Sequence, residues 1–458
     1  MRRYRDDEVK VMKFEISATR LLLSATVVGL VCLLVLVQKP ADEVRQQDPA
    51  HTAIKVEIVA AEGGYQLLRG GQPYVVKGAG IDNRNLQSLV DHGANSLRTW
   101  SVDDGAQPAE QLLDRASSLG LTVSLGLEFS SERHGFNYDD AVDVATQFEQ
   151  ARARVLKYRD HPALLVWIIG NELNFNSENP KVYDALNDVV KMIHALDPNH
   201  PTTTALSYFD TKALNLIGAR APDLDFVSFQ LYAGLLNLPV DIAKTGYRKP
   251  YFVTEWGSVG HWEVAKTSWG APIENTSSEK ASNYLKSYQE VLQPHADQAI
   301  GNYVFLWGQK QEKTPTWYGM YLNSGEETEA IDVMHYIWNG RWPDNRSPRV
   351  SPIRLNGNVA QDNVSLEGGK RYSATLDVTD FDDDPITYRW VLRAESAAEQ
   401  VGGDYEELPE VIAGLIEEPT AAEITLLTPT LAGGYRLFVY VYDGQNHAAH
   451  ANIPFYVR

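Results

Sequence analysis

Val166–Asn174, VWIIGNELN, is an apolar run that ends abruptly in Gly170-Asn171-Glu172. Val166, Trp167, Ile168 and Ile169 are all β-branched or aromatic, which predicts a strand buried on both faces. Such a strand normally ends in a turn or a cap. This one ends by presenting an amide and a carboxylate side by side. The pattern recurs in Tyr251–Gly257, YFVTEWG, a second apolar strand that closes on a glutamate, Glu255. Two carboxylates at the ends of two buried strands point to an acid and a nucleophile working as a pair at one end of a barrel.

Around these two strands, apolar segments and amphipathic helices alternate with a regular beat. Strands are predicted at Tyr74–Gly78, Ser96–Trp100, Thr122–Leu127, Leu164–Ile169, Thr202–Leu206, Phe226–Leu231, Tyr251–Thr254 and Gly301–Leu306. A helical pattern follows each; in Lys181–Leu196, residues Val182, Leu186, Val189, Val190 and Ile193 share one face. Eight such units in about 270 residues match the count and size of a (β/α)8 TIM barrel. A doubly wound open sheet is the alternative, but the glycine-rich phosphate turn after its first strand is missing. Ahead of the barrel, Lys55–Ala60, Tyr65–Arg69 and Gln72–Lys77 read as a small hairpin with Gly-Gly turns.

The two ends differ from this core. Leu21–Val37 is seventeen residues without a charge, at the short end of what crosses a bilayer as a helix. Six basic residues precede it and few follow closely, which predicts a cytoplasmic segment 1–20, a transmembrane anchor 21–37 and an extracytoplasmic body, periplasmic or at the cell surface. A cleaved signal peptide is the alternative; Val37-Gln38-Lys39-Pro40 is a poor cleavage site. Residues 38–53 read as a tether, 54–342 as the catalytic barrel, and 343–352, with Pro343, Pro348 and Pro352, as a stiff linker. In 353–458 the helical period disappears and short strands predict an immunoglobulin-like β-sandwich, with Glu395–Pro419 an acidic insertion, either a loop in solvent or an irregular strand pair.

The formal charge is −19, and because the first twenty residues carry six basic and four acidic side chains, the acidic excess lies in the body. That excludes a nucleic-acid partner, which calls for a basic face. Cys32 is the only cysteine, so there is no disulfide framework and no thiolate metal site. No HExxH or clustered His/Cys pattern occurs in the barrel, and neither a metal nor another cofactor is expected there. His134 and His261 read as hydrogen-bonding loop residues rather than catalysts, and Glu128, at the end of the third strand, as a cleft residue or a salt bridge.

Splitting a glycosidic bond with retention needs a protonated acid at the leaving oxygen and an ionised carboxylate behind the anomeric carbon, about 5–5.5 Å apart. Ends of nearby parallel strands deliver such spacing. Asn171 adds an amide able to hold a sugar hydroxyl. Arg98, closing the second strand, and Tyr232, closing the sixth, are candidate donors that keep one carboxylate ionised. The aromatics near strand ends (Trp100, Tyr232, Trp256, Trp262, Trp307, Trp317 and Tyr318) are candidates for stacking on a sugar, with core packing the alternative.

The order of these motifs, GNE after the fourth strand and TEWG after the seventh, resembles the acid/base and nucleophile motifs of clan A glycoside hydrolases. Arg98 in NSLRTW resembles that clan's second-strand arginine, and Trp307 in YVFLWG its eighth-strand tryptophan flooring a sugar subsite. YQLLRGGQPYVVKGAG resembles the barrel entry of family 2 enzymes and is also similar to the start of the family 72 β-1,3-glucanosyltransferases. The resemblance spans Tyr65 to Asn339. It implies Glu172 as acid/base, Glu255 as nucleophile, and Arg98, Asn171, Tyr232 and Trp307 as substrate-binding residues of an enzyme that cleaves a β-linked saccharide, with β-glucan the first candidate. A glucanosyltransferase and a non-catalytic sugar-binding envelope protein are the alternatives. One departure is Gln230-Leu231-Tyr232, where relatives commonly carry Asn-x-Tyr. In the C-terminal part, Asp380–Pro385 resembles the aspartate-rich turn of PKD and cadherin-like modules; Asp382, Asp384 and Asp443 are candidate calcium ligands, with a metal-free acidic turn the alternative.

Overall fold

A computed structural model of the chain describes residues 51–81, 86–102, 108–399 and 402–458. The proposed anchor Leu21–Val37 lies outside these residues. Among those described, no helix is long and apolar enough to cross a membrane.

Eight strands form a closed parallel barrel: Gly78–Ile81, Ser96–Arg98, Thr122–Leu127, Leu164–Asn171, Thr202–Leu206, Phe226–Gln230, Tyr251–Gly257 and Ala299–Trp307. Each pairs with its neighbours in sequence, and the eighth closes on the first. The apolar runs are buried on both faces, as strands between a filled barrel and a helical layer must be. Helix Lys181–Leu196 turns its predicted face inward, with Val182, Leu186, Val189, Val190 and Ile193 all buried.

The first strand lies further along the chain than its sequence pattern predicts. Tyr74–Lys77 is tied across the end of the barrel instead: the Tyr74 hydroxyl donates to the Asn95 carbonyl at 2.8 Å and the Lys77 amide to Asn95 Oδ1 at 2.8 Å. The strand then starts at Gly78, where a Cβ would overlap the Tyr303 ring.

The hairpin Val56–Ala61/Gly64–Arg69 plugs the barrel at the ends where its strands begin. Val56 donates its amide to the Asn199 carbonyl and Tyr65 to that of Asp297, while Val56 and Leu67 pack with Val166, Ile168, Phe252 and Tyr303. Only the opposite end, where the strands finish, is left for a site.

Beyond the barrel, two four-stranded sheets face each other. One is ordered Arg354–Leu355, Arg371–Thr375, Ile424–Leu427, Ile416–Glu417; the other Ser365–Leu366, Ala448–Val457, Gly433–Tyr442, Thr387–Ala394. Leu355, Ala374 and Leu426 from the first and Trp390, Leu437, Val439 and Phe455 from the second share one core, which makes a sandwich. The prolines of 343–352 do not make a free spacer. Arg349–Val350 pairs with Val378–Thr379, and Ser347 donates its amide to Asp332 on the last barrel helix at 2.7 Å. The sandwich is docked on the barrel.

Candidate active site

At the ends of the strands the ladders break step, between Ile168 and Asn171, Val253 and Glu255, and Val304 and Trp307. Such irregularities re-aim side chains. At the first of them, Gly170 (φ 71°) and Glu172 (φ 55°) both lie in the left-handed region, which swings Glu172 out of the strand's pleat. Glycine suits the first position; at Glu172 the conformation costs about 1–3 kcal/mol.

The result is a cavity of about 420 Å³ lined by Asn171, Glu172, Tyr232 and Glu255 together with Trp100, Phe305, Leu306 and loop residues. The Glu255 carboxylate is saturated with donors. Its Oε1 accepts from Arg98 Nη1 at 3.0 Å, Trp100 Nε1 at 2.7 Å and Gln230 Nε2 at 2.8 Å; its Oε2 accepts from the Tyr232 hydroxyl at 2.8 Å. An oxygen pair facing four donors acts as an acceptor only, which is the ionised form. Arg98 is fully buried; burial presses its pKa down and Glu255 opposes that. Burial and the neighbouring Glu255 push the Tyr232 hydroxyl far above its ordinary range, so it stays a donor.

Glu172 faces the opposite electrostatics. Burial, and then the negative charge of Glu255, push its carboxyl up to about 8, against the pull of Arg133 and Arg98. Asn171 joins the network around Glu255: its Oδ1 accepts from Arg98 Nη2 at 3.0 Å and Gln230 Nε2 at 2.6 Å. With the carbonyl so engaged, the NH2 end of that amide is the one turned to other partners.

Five of the six residues singled out in the sequence are therefore brought together. Trp307 is not. It is wholly buried beneath the helical layer, with ring centroids 5.6 Å from His92, 5.9 Å from Tyr321 and 5.4 Å from Trp338. The shift between Val304 and Trp307 breaks the alternation that would put Phe305 and Trp307 on one face, and Phe305 takes the cavity wall. Trp262 stands at the rim, 53% exposed and edge-on to Tyr232. Trp256, Trp317 and Tyr318 are buried in packing.

Sequence reasoning did not find Gln230 as a ligand of Glu255, nor Arg133, Lys310 and the C-terminal residues Gly402, Gly403 and Asp404 as cavity lining. Gln230 sits where an inward side chain follows from strand periodicity, so its longer amide was the available signal. The acidic insertion, expected as a loop in solvent or an irregular strand pair, delivers Gly402–Asp404 to the cavity. Glu128 pairs with Arg154 at 3.2 Å, as its salt-bridge reading predicts. His134 meets Asp404 at 3.1 Å and His261 meets Glu312 at 3.3 Å.

In the sandwich, Asp382 accepts from the Arg346 amide and Asp443 from Gln445 and His447, the bonding of an acidic turn. One cluster among the described residues has ligand spacing, His51, Asp114 and His161. His161 precedes the fourth strand, so this cluster lies at the barrel end opposite the cavity. There His161 Nδ1 accepts from the Ala163 amide, which places its proton on Nε2, facing Asp114 at 3.1 Å. In that tautomer the neutral ring donates a hydrogen bond from Nε2 to Asp114, and neither nitrogen has a lone pair left for a metal.

No protein-family model and no curated protein matches the chain. Solved structures resemble it. A Bifidobacterium dentium β-glucuronidase, complexed with coumarin-3-O-glucuronide, superposes with a TM-score of 0.50 at 18% identity, over 64% of this chain and 50% of that one. This chain thus spans about half the length of that enzyme. A Rhizomucor miehei family 5 mannosidase aligns with a TM-score of 0.43 at 14% identity, over 64% of this chain and 98% of its own. These neighbours are glycoside hydrolases; what the first of them shares with this chain is the barrel fold.

Proposed function

We propose that this chain is a retaining glycoside hydrolase that forms a covalent glycosyl-enzyme on Glu255, with Glu172 as acid/base. The observation that carries the reading is the contrast between the two carboxyls of one cavity. Four donors keep Glu255 ionised, and burial beside it keeps Glu172 protonated at neutral pH. That division of states is what the first step requires: Glu172 gives its proton to the leaving oxygen while a Glu255 oxygen bonds to the anomeric carbon. In the second step Glu172, now ionised, takes a proton from the water that attacks that carbon and releases Glu255. The Asn171 NH2 is placed to hold a ring hydroxyl. Phe305 and Trp100 offer apolar faces to the sugar.

The substrate we favour is a neutral β-linked saccharide, with β-glucan the first candidate on the resemblance of the barrel entry. The lining carries the carboxylates Glu172, Glu255, Glu312 and Asp404 against Arg133 and Lys310, and these two cations are paired with Asp404 and Glu312. Such a lining disfavours a uronate. Transfer to a second sugar is a further reading, favoured by exposed Trp262 at the rim, a platform on which an acceptor can stack. Attachment to a membrane through Leu21–Val37 rests on that segment's sequence; retention in the membrane fraction after a salt wash, with an intact N-terminus, tests it.

The decisive experiment is Glu255→Ala assayed on aryl β-glycosides and on a panel of β-glucans, mannans and galactans. Turnover should fall by several orders of magnitude with the fold retained, and near-normal activity would sink the assignment. A non-catalytic sugar-binding protein would show binding without turnover in both forms. For Glu172→Ala, azide should restore turnover of an activated aryl glycoside and yield a β-glycosyl azide.

A further inference from the structure

The tip of the acidic insertion reaches the cavity from the other domain, and it is held on both sides. Upstream, Glu395 pairs with the buried Arg436 at 2.6 Å, and the Ala398 carbonyl accepts from Lys313 Nζ at 2.5 Å. Downstream, the buried Glu406 accepts from the Lys313 amide at 2.7 Å. Between these anchors the Gly402 carbonyl accepts from Arg133 Nη2 at 3.1 Å, and Asp404 meets Arg133 Nη1 at 3.2 Å and His134 Nε2 at 3.1 Å. Gly402 (φ 66°) and Gly403 (φ 83°) both have left-handed backbone. A Cβ on Gly402 would press on Phe175 and Arg133 at 3.1 and 3.2 Å, and one on Gly403 would stand 2.8 Å from Lys310 Nζ. A side chain at Gly402 would crowd Phe175 and Arg133, and at either glycine it would be strained by the left-handed backbone.

We propose that the C-terminal domain is a working part of the catalytic cavity: Gly402–Asp404 wall off one side of it, and Asp404 is a positioning residue that holds Arg133 beside Glu172 and offsets its charge. This rests on the reading of Glu172 as the acid. The charged groups facing Glu172 are Glu255 and Glu312, which favour its protonated form, and Arg133 and Arg98, which favour the ionised one. Arg98 is committed to Glu255 and Asn171. Arg133 is the cation whose influence Asp404 tempers, with Lys310 held by Glu312 at 2.7 Å and His134 on the far side of Asp404. Asp404 thereby keeps the acid protonated without touching it.

The test compares wild type with Asp404→Asn and Arg133→Gln in the full chain. Two readouts are taken: the pH dependence of kcat/KM on an aryl β-glycoside, and the titration of the Glu172 carboxyl followed by 13C NMR, assigned with Glu172→Gln. Asp404→Asn should move the basic limb and the Glu172 midpoint down by about half to one pH unit, and Arg133→Gln should move both up. The double variant should return towards wild type. Midpoints that coincide in all three forms, or an upward move in Asp404→Asn, would overturn the proposal. If wild type turns over no glycoside, or Glu255→Ala remains active, it is the catalytic reading that fails; the NMR titration still decides the role of Asp404.

Discussion

Glu255 Oε1 draws three N–H donors and Oε2 a hydroxyl, so the charge on this carboxylate is spread over contacts made before any substrate arrives. Preorganised donors of this kind cost no reorganisation during reaction. In the proposed covalent step Glu255 would lose its charge, so the donors must not hold it too firmly. Trp100 and Tyr232 are the two among them that also line the cavity. Trp100→Phe keeps the ring and removes a hydrogen bond to a charged group, worth about 1.5–3 kcal/mol. A fall in kcat/KM of about 10–100-fold is expected, read by steady-state kinetics on an aryl glycoside. In the proposed mechanism Glu172 sets the other limb. With its carboxyl pushed up to about 8, the acid is protonated below that pH, and kcat/KM should fall as pH rises through it. The same shift has a stability sign. The folded state binds the proton more tightly than the unfolded chain, so stability drains away as pH rises from the ordinary carboxyl range towards 8. Glu172→Gln is thus expected to stabilise the fold at pH 7, on the order of 2 kcal/mol by denaturant titration, while abolishing acid catalysis. Equal or lower stability in that variant would contradict the raised value.

Among the elements, the fourth strand shows how much of the site hangs on one turn. Gly170 lies at φ 71°, and a Cβ there would meet the Leu173 side chain at 2.8–2.9 Å. Gly170→Ala should therefore destabilise the protein by about 1–3 kcal/mol and lower kcat more than it raises KM, because the turn that aims Glu172 would open. Unchanged kinetics would show that the turn does not aim the acid. The strand itself was legible in sequence, since a β-branched apolar run bounded by Gly-Asn has few other readings. The eighth strand was not. Its three aromatics, Tyr303, Phe305 and Trp307, look equivalent in a two-residue period. A register shift between Val304 and Trp307 decides which of them meets the cavity, and it arises from pairing with a strand more than two hundred residues earlier.

For the molecule as a whole, the seam between barrel and sandwich is polar and buried. Glu274 accepts from Lys280 at 2.5 Å, from Thr314 and Asn452 at 2.6 Å each, and from Thr316 at 2.9 Å. Burial alone would raise the Glu274 carboxyl; Lys280, with His450 and the hydrogen bonds, outweighs it and brings it down to about 2. The stability this supplies is present above the unfolded carboxyl range and is lost as pH falls towards 2. Lys280→Met would leave a buried carboxylate without its counter-ion. A loss of about 3–5 kcal/mol is expected, seen as a lower denaturation midpoint, whereas a loss under 1 kcal/mol would mean the seam relaxes to hydrate Glu274. Because the sandwich carries Gly402–Asp404 to the cavity, loosening this seam should also raise KM.

The alternation of buried strands and amphipathic helices, the two strand-ending glutamates and Arg98 were determined locally, by periodicity and by residues whose chemistry has little use at a strand end other than a site. Those signals survive in sequence because each depends on neighbours a few positions away. Tertiary structure alone decided that Phe305 rather than Trp307 faces the cavity, that Gln230 and Trp100 complete the hold on Glu255, and that an acidic loop of the second domain reaches over to Arg133. Each of these depends on the registration of segments distant in the chain. That registration is set by the closure of the barrel and by the buried seam that docks the sandwich on it, neither of which leaves a local pattern.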